Sequence, residues 1–145
     1  MPRLDARTRA TLIGHGLAVI LLGLLLGFPY ALVIQGSLAG SERAWRMAHL
    51  EGVLNGLLLI AVGAAGKSIA LGPRAAAWLR RALIVTAYGN LAGAALGAAS
   101  GERGLAPAGP AANLVVYLLF LAAVVAVLGG LGIAAIGAFR AARAE

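Results

Sequence analysis

Long apolar runs separated by short polar ones organise this chain. The first runs from Thr11 to Ile34 and holds no charged side chain apart from the titratable His15. It exceeds the ~20 residues that span a bilayer's hydrocarbon core, so a membrane helix is expected over about 11–35. Arg3, Arg7 and Arg9 precede it, and Ser37, Leu38 and Ala39 follow. A secretory signal has similar flanks, but its apolar stretch is only about 7–15 residues, so an uncleaved helix is expected. A second run spans about 44–70. Its uncharged centre, Gly52 to Gly66, is short, so Met47, His49 and Glu51 must join it for it to reach membrane length. Gly72 and Pro73 then break the chain. A third run covers 82–100 and carries Thr86, Tyr88 and Asn90. A loop with two prolines and three glycines leads to a fourth run within 111–139, with Asn113 and Tyr117 near its start. The expected fold is therefore all-α: one membrane domain, 1–145, built as a four-transmembrane-helix bundle.

Composition strengthens this reading. Hydrophobic residues make up 61% of the 145 and charged ones 12%, against about 25% charged in an ordinary soluble domain. A soluble fold of this size could not bury so much apolar surface. The net charge of +7 would point to nucleic acid in a soluble protein, but here the arginines lie between apolar runs and no aromatic–basic interleaving occurs. No nucleic-acid partner is expected; the lipid bilayer is. Nine of the 12 basic residues lie at the N-terminus, in the second connection and at the C-terminus; only Arg43, Arg46 and Arg103 lie in the other two connections. The positive-inside rule then places both termini in the cytoplasm, with a bacterial inner membrane as the expected location. His49 and Glu51 fall toward the outer side.

Several chemistries are excluded. Without cysteine there is no disulfide, thiolate nucleophile or cysteine-held cluster. Gly66, Lys67 and Ser68 resemble the end of a phosphate-binding loop, but Ala61 occupies the place of its first glycine, and HExxH is missing. Two histidines and few acids give no serine–histidine–acid set.

What remains is a short roster of polar residues in apolar surroundings: His15, His49, Glu51, Asn55, Thr86, Tyr88, Asn90, Asn113 and Tyr117. Such residues are costly in a membrane and tend to be functional. His49 stands one and two helical turns before Gly52 and Gly56 on one face. This pattern has two readings. One is an axial iron ligand beside a strip that admits a flat ring; the other is a histidine hydrogen-bonded at the bilayer interface. Glycines also recur four apart at Gly23/Gly27 and at Gly89/Gly93/Gly97. Such faces serve helix packing in lipid, or receive a cofactor or another subunit. Glu51 is either paired with a nearby arginine or a proton-handling group. Asn55 and Asn90 are candidates to bridge helices or to donate to a substrate oxygen.

The stretch WRMAHLEGVLNGLLLIAVG, Trp45 to Gly63, resembles the styrene oxide isomerase family, whose pattern there reads W-x-R-A-H and then L-N-G. The arginine is displaced by one place. Gly14–His15–Gly16, Asn90, Arg103–Gly104–Leu105 and Gly109–Pro110 extend the resemblance along nearly the whole chain. The resemblance implies a small four-helix membrane enzyme, a homotrimer that binds haem b between neighbouring subunits. His49 would be the axial iron ligand, with Gly52 and Gly56 beside the ring. Ferric iron would act as a Lewis acid on an apolar aryl epoxide, with Asn55 and Asn90 as catalytic residues. The ring would open and a 1,2-hydride shift would give an aldehyde, a Meinwald rearrangement with no net electron transfer. The family also carries an aspartate and a tyrosine where this chain has Thr86 and Ala94, so the substrate is what the resemblance leaves open; Tyr88 on the third helix and Tyr117 on the fourth are candidates to substitute. Two rivals stand beside the isomerase reading: a haem protein that carries, senses or transfers electrons, and a cofactor-free structural or transport protein.

Overall fold

The computed structural model describes residues 2–144, and all regular elements among them are helical. Asp5 caps α1 (Ala6–Leu25), its carboxylate accepting from the Thr8 backbone N–H at 2.7 Å and the Thr8 hydroxyl at 2.9 Å. The backbone bond from Thr8, more than any other contact, holds the Asp5 carboxyl below its ordinary pKa. The first membrane run is interrupted at Leu26 and resumes as α2 (Gly27–Ile34). Pro29 explains the break. It has no N–H to offer the Leu25 carbonyl, and its ring crowds that same carbonyl four residues back.

Ser41 caps α3 (Glu42–Ala65), which ends in a single 3-10 turn, Gly66–Ser68. The expected second helix reached residue 70; the chain instead turns extended at Ile69. α4 (Pro73–Ser100) begins well before the expected residue 82. Pro73 breaks the preceding segment and starts the next helix, since a first-turn residue needs no N–H partner. Arg74, Arg80 and Arg81 therefore lie on the first turns of α4 rather than in a loop. Gly101, at φ +77°, closes α4 in a left-handed cap. α5 (Ala111–Ala142) follows Pro110 and runs slightly past the expected end, with Arg140 in its last turn, where a cation suits the helix dipole.

Four helical stretches are long and apolar enough to cross a membrane: Ala6–Ile34, Glu42–Ser68, Pro73–Ser100 and Ala111–Ala142. The large side chains on their outer faces are exposed, Phe28 at 68% and Leu128 at 70% among them. Such a surface suits lipid tails and not water. α1 packs on α3, α3 on α4 and α4 on α5. The two middle spans, α3 and α4, are the least hydropathic and the most buried. The polar residues that matter are on them.

The glycine faces close these contacts. Gly23 and Gly52 oppose each other so closely that a Cβ on either would run into the other's backbone. Gly56 meets Gly16 and Ile20 in the same way, while Gly93 faces Phe120 of α5. Both ends of the described chain lie on one side of the bundle. Leu4 N–H donates to the Gly66 and Ile69 carbonyls, and Ala70 N–H donates to Gly137 of α5. The basic α3–α4 connection is thus on the same side as both ends.

Candidate functional site

His49 lies on the α1-facing side of α3, half-buried at the break between α1 and α2. Its Nδ1 is 2.9 Å from the Gly23 carbonyl, and its ring lies against Gly27. A carbonyl only accepts, so Nδ1 carries the proton, and in the neutral ring Nε2 is the nitrogen with the lone pair. A neutral imidazole with its tautomer fixed by a backbone carbonyl is the form that ligates a metal. His15 is elsewhere. It sits eight residues, about 12 Å of helix rise, before Gly23, with Nδ1 3.1 Å from the Tyr88 hydroxyl. The two histidines are not arranged to share one ion.

Gly52 and Gly56 do not fill the place expected of them. The strip beside the imidazole is not open: α1 occupies it, with Gly23 against Gly52 and Gly16 and Ile20 against Gly56. No space for a flat ring remains there. These glycines serve close helix contact, the other use to which such spacing is put.

Asn55 and Asn90 come together as one unit with Glu51. Asn55 is buried, 7% exposed. Its Nδ2 donates to the Glu51 carbonyl at 2.8 Å and to Glu51 Oε2 at 2.7 Å. Asn90 Nδ2 donates to Asn55 Oδ1 at 3.3 Å, tying α4 to α3. Glu51 thus pairs with an amide, not with an arginine, among the described residues. Above this chain, between α3, α4 and the loop before α5, lies a cavity of about 350 Å³. Glu51, Met47, Ala94, Phe120 and Leu105 are in its wall, with Glu102 and Arg103 among the rest. It shares Met47, Glu102 and Arg103 with a cleft of about 420 Å³ that reaches Ser41 and Arg43.

The loop that covers the cavity is held by a residue whose role the sequence did not reveal. Asn113 accepts from Gly104 N–H at 2.8 Å and donates to the Ala106 and Ala108 carbonyls at 2.8 and 2.6 Å. Gly104 adopts φ +60° and packs on Val116, which only glycine allows there. Thr86 turns away from the amide chain: 1% exposed, its hydroxyl lies 2.9 Å from the Ala82 carbonyl and 3.2 Å from that of Ala123 on α5. Tyr117 makes no hydrogen bond to Asn55 or Asn90.

The styrene oxide isomerase family model matches residues 8–139, from the first turn of α1 to the last turns of α5. The chain belongs to the styrene oxide isomerase family. A relative, hydroxylaminobenzene mutase HabB of Ectopseudomonas oleovorans, is 38% identical over 71 residues, 49% of this chain. That match spans 40% of the mutase's own length. Both similarities are to proteins named for rearrangement within one molecule.

The donor set also bears on haem. Among the described residues no three His, Asp or Glu side chains gather to hold a bare metal ion. A macrocycle supplies its own four equatorial donors and needs only an axial one. His49 Nε2 would fit that requirement, and with the Gly52/Gly56 strip closed by α1 such a ring would have to lie outside the α1–α3 contact.

Proposed function

We propose that this chain is a membrane-bound, haem b-dependent isomerase that converts a small apolar aryl epoxide to an aldehyde. The observation that carries the reading is the His49 Nδ1 bond to the Gly23 carbonyl, which presents Nε2 as a ligand, in a chain of this family. When bound, ferric haem supplies a Lewis acid able to stabilise charge that develops on an oxygen.

The chain's own part is to hold, orient and keep dry. His49 would hold the iron, with its Nδ1 proton kept in place by the Gly23 carbonyl. The amide chain across α3 and α4 provides hydrogen-bonding groups for a substrate oxygen in otherwise apolar surroundings. Met47, Phe120 and Leu105 give the space above it an apolar wall, beside Glu51, Glu102 and Arg103. An intramolecular rearrangement adds and removes no atoms, so few polar groups are needed. Dryness strengthens each remaining polar contact.

His49 and Asn55 stand about 120° apart around α3 by helical geometry. One copy's imidazole is therefore poorly placed to serve its own amide chain. Pairing the histidine of one copy with the amides of the next calls for a ring of copies, which the family resemblance makes a homotrimer, with the exposed Leu50, Leu54 and Leu57 of α3 available for the contact. We place it in a bacterial inner membrane with both termini cytoplasmic, on the gathering of basic residues at that end.

The test is turnover by purified, haem-loaded protein given styrene oxide and related aryl epoxides. The expected product is the corresponding aldehyde, lost in His49→Ala. No aldehyde from any epoxide at full haem occupancy would overturn the proposal. The likeness to the mutase favours a second reading, in which hydroxylaminobenzene is the substrate. Conversion of that compound without any epoxide turnover would select it.

A further inference from the structure

A groove of about 590 Å³ runs between α4 and α5, and no residue of α3 is in its wall. Its α4 side is Trp78, Arg81, Ala82 and Val85, spaced so that they share one helix face. On α5 the small side chains of Ala122 and Ala126 and the bare Gly129, which has nothing within reach of a Cβ, leave the space open. From Leu118 to Ile133 the α5 wall covers about 22 Å of helix rise. One leaflet with its headgroups is about 20–22 Å thick. The groove therefore matches a lipid acyl chain in length, and its wall is apolar except at one end.

That end is basic. Arg81 is the charged residue of the wall; it is exposed, and no carboxylate pairs with it among the described residues. Trp78, 64% exposed, stands one turn before it, and Arg74 one turn further back on the same stripe. An aromatic ring and basic side chains at one level mark a membrane–water boundary. The start of α4 adds to the positive field, because no side chain caps it and its first turn holds no acid.

A second copy of this chain offers little to answer that charge. The groove's basic end lies on the side of both chain ends, where the described acid is Asp5, and its carboxylate is spent on Thr8. Glu42 and Glu51 belong to the first half of α3 and Glu102 follows the end of α4, all toward the opposite side. An anionic phospholipid supplies both parts, an acyl chain for the groove and a phosphate for the arginines. Basic sites between membrane helices recognise such headgroups.

We propose that the α4–α5 groove seats one anionic phospholipid from the leaflet on the side of the chain ends, its acyl chain along α5 and its phosphate at Arg81 with Arg74 beside it. The site stands independently of the isomerase reading.

The test titrates full-length protein in detergent with phosphatidylglycerol and, separately, phosphatidylcholine of the same acyl chains, followed by native mass spectrometry. The variants are Arg81→Gln, Arg74→Gln combined with Arg81→Gln, Ala126→Phe, and Arg103→Gln at the opposite end. Wild type should bind phosphatidylglycerol at least about fivefold more tightly than phosphatidylcholine, the order expected of one arginine at a membrane surface. Arg81→Gln should weaken phosphatidylglycerol about fivefold and leave phosphatidylcholine unchanged, and the double variant should abolish the preference. Ala126→Phe, which fills the groove, should weaken both lipids at least about fivefold, and Arg103→Gln should match wild type. Equal affinity for the two lipids in wild type, wild-type affinity for phosphatidylglycerol in Arg81→Gln, or an equal loss in Arg103→Gln would overturn the proposal. A smaller oligomer in Ala126→Phe would give the groove to a second copy, and a lost Soret band there would give it to haem; either would overturn it too. Should Ala126→Phe fail to fold, Arg81→Gln, a surface change, still decides.

Discussion

At the scale of single residues, the chain economises on polar groups, and among the described residues no buried side-chain nitrogen or oxygen lacks a partner. His49 binds a carbonyl through one nitrogen and leaves the other free. Asn113 makes three bonds to the loop that covers the cavity. Asn113→Ala would strand the Gly104 N–H and two carbonyls in a nearly buried place, so it should cost about 2–3 kcal/mol of stability, read by denaturant unfolding in detergent. Stability equal to wild type would show that the loop does not depend on this amide. The sequence revealed which polar residues lie in the membrane, because charge and amide groups stand out against leucine and alanine. It did not reveal their partners. That Asn55 faces Glu51 and Asn90 follows from the α3–α4 crossing, which no spacing within one helix reports. For Asn113 a signal was present: an asparagine in the first turn of a helix, just after a loop of glycine and proline.

At the scale of helices, the apolar runs identified all four spans, and the errors were at their ends. α4 starts at Pro73 because a polar first turn can project beyond the hydrocarbon, and hydropathy counts such a turn as loop. The break at Leu26 was legible in Pro29, which lies inside a run that reads as continuous by hydropathy alone. Glycine spacing marked the contact faces correctly but could not say what covers them. Gly52 meets Gly23, whereas Gly14 and Gly132 have open space where a Cβ would stand. Gly52→Ala should therefore destabilise the bundle by about 1–3 kcal/mol through overpacking. Gly14→Ala and Gly132→Ala should be neutral or stabilising by about 0.5–1 kcal/mol, since alanine favours a helix more than glycine does. Thermal unfolding of the three variants in one detergent distinguishes the cases. A tolerated Gly52→Ala would mean that α1 and α3 are not in close contact.

At the scale of the whole molecule, the division of labour follows the burial. α1–α2 and α5 present apolar surface outward; α3 and α4 carry the amide chain, and α3 carries the histidine. The bundle gathers its two ends and its most basic connection on one side, which is what an even number of spans requires. His49 and Asn55 occupy different faces of α3, which is why the chemistry is proposed for an assembly of copies. All of it depends on whether His49 holds haem. The absorption spectrum of detergent-purified protein, wild type beside His49→Ala, addresses that directly. A Soret band in the wild type that is lost or strongly shifted in the variant is the expected result. No Soret band even when haem is supplied during expression, or a band unchanged in His49→Ala, would contradict it.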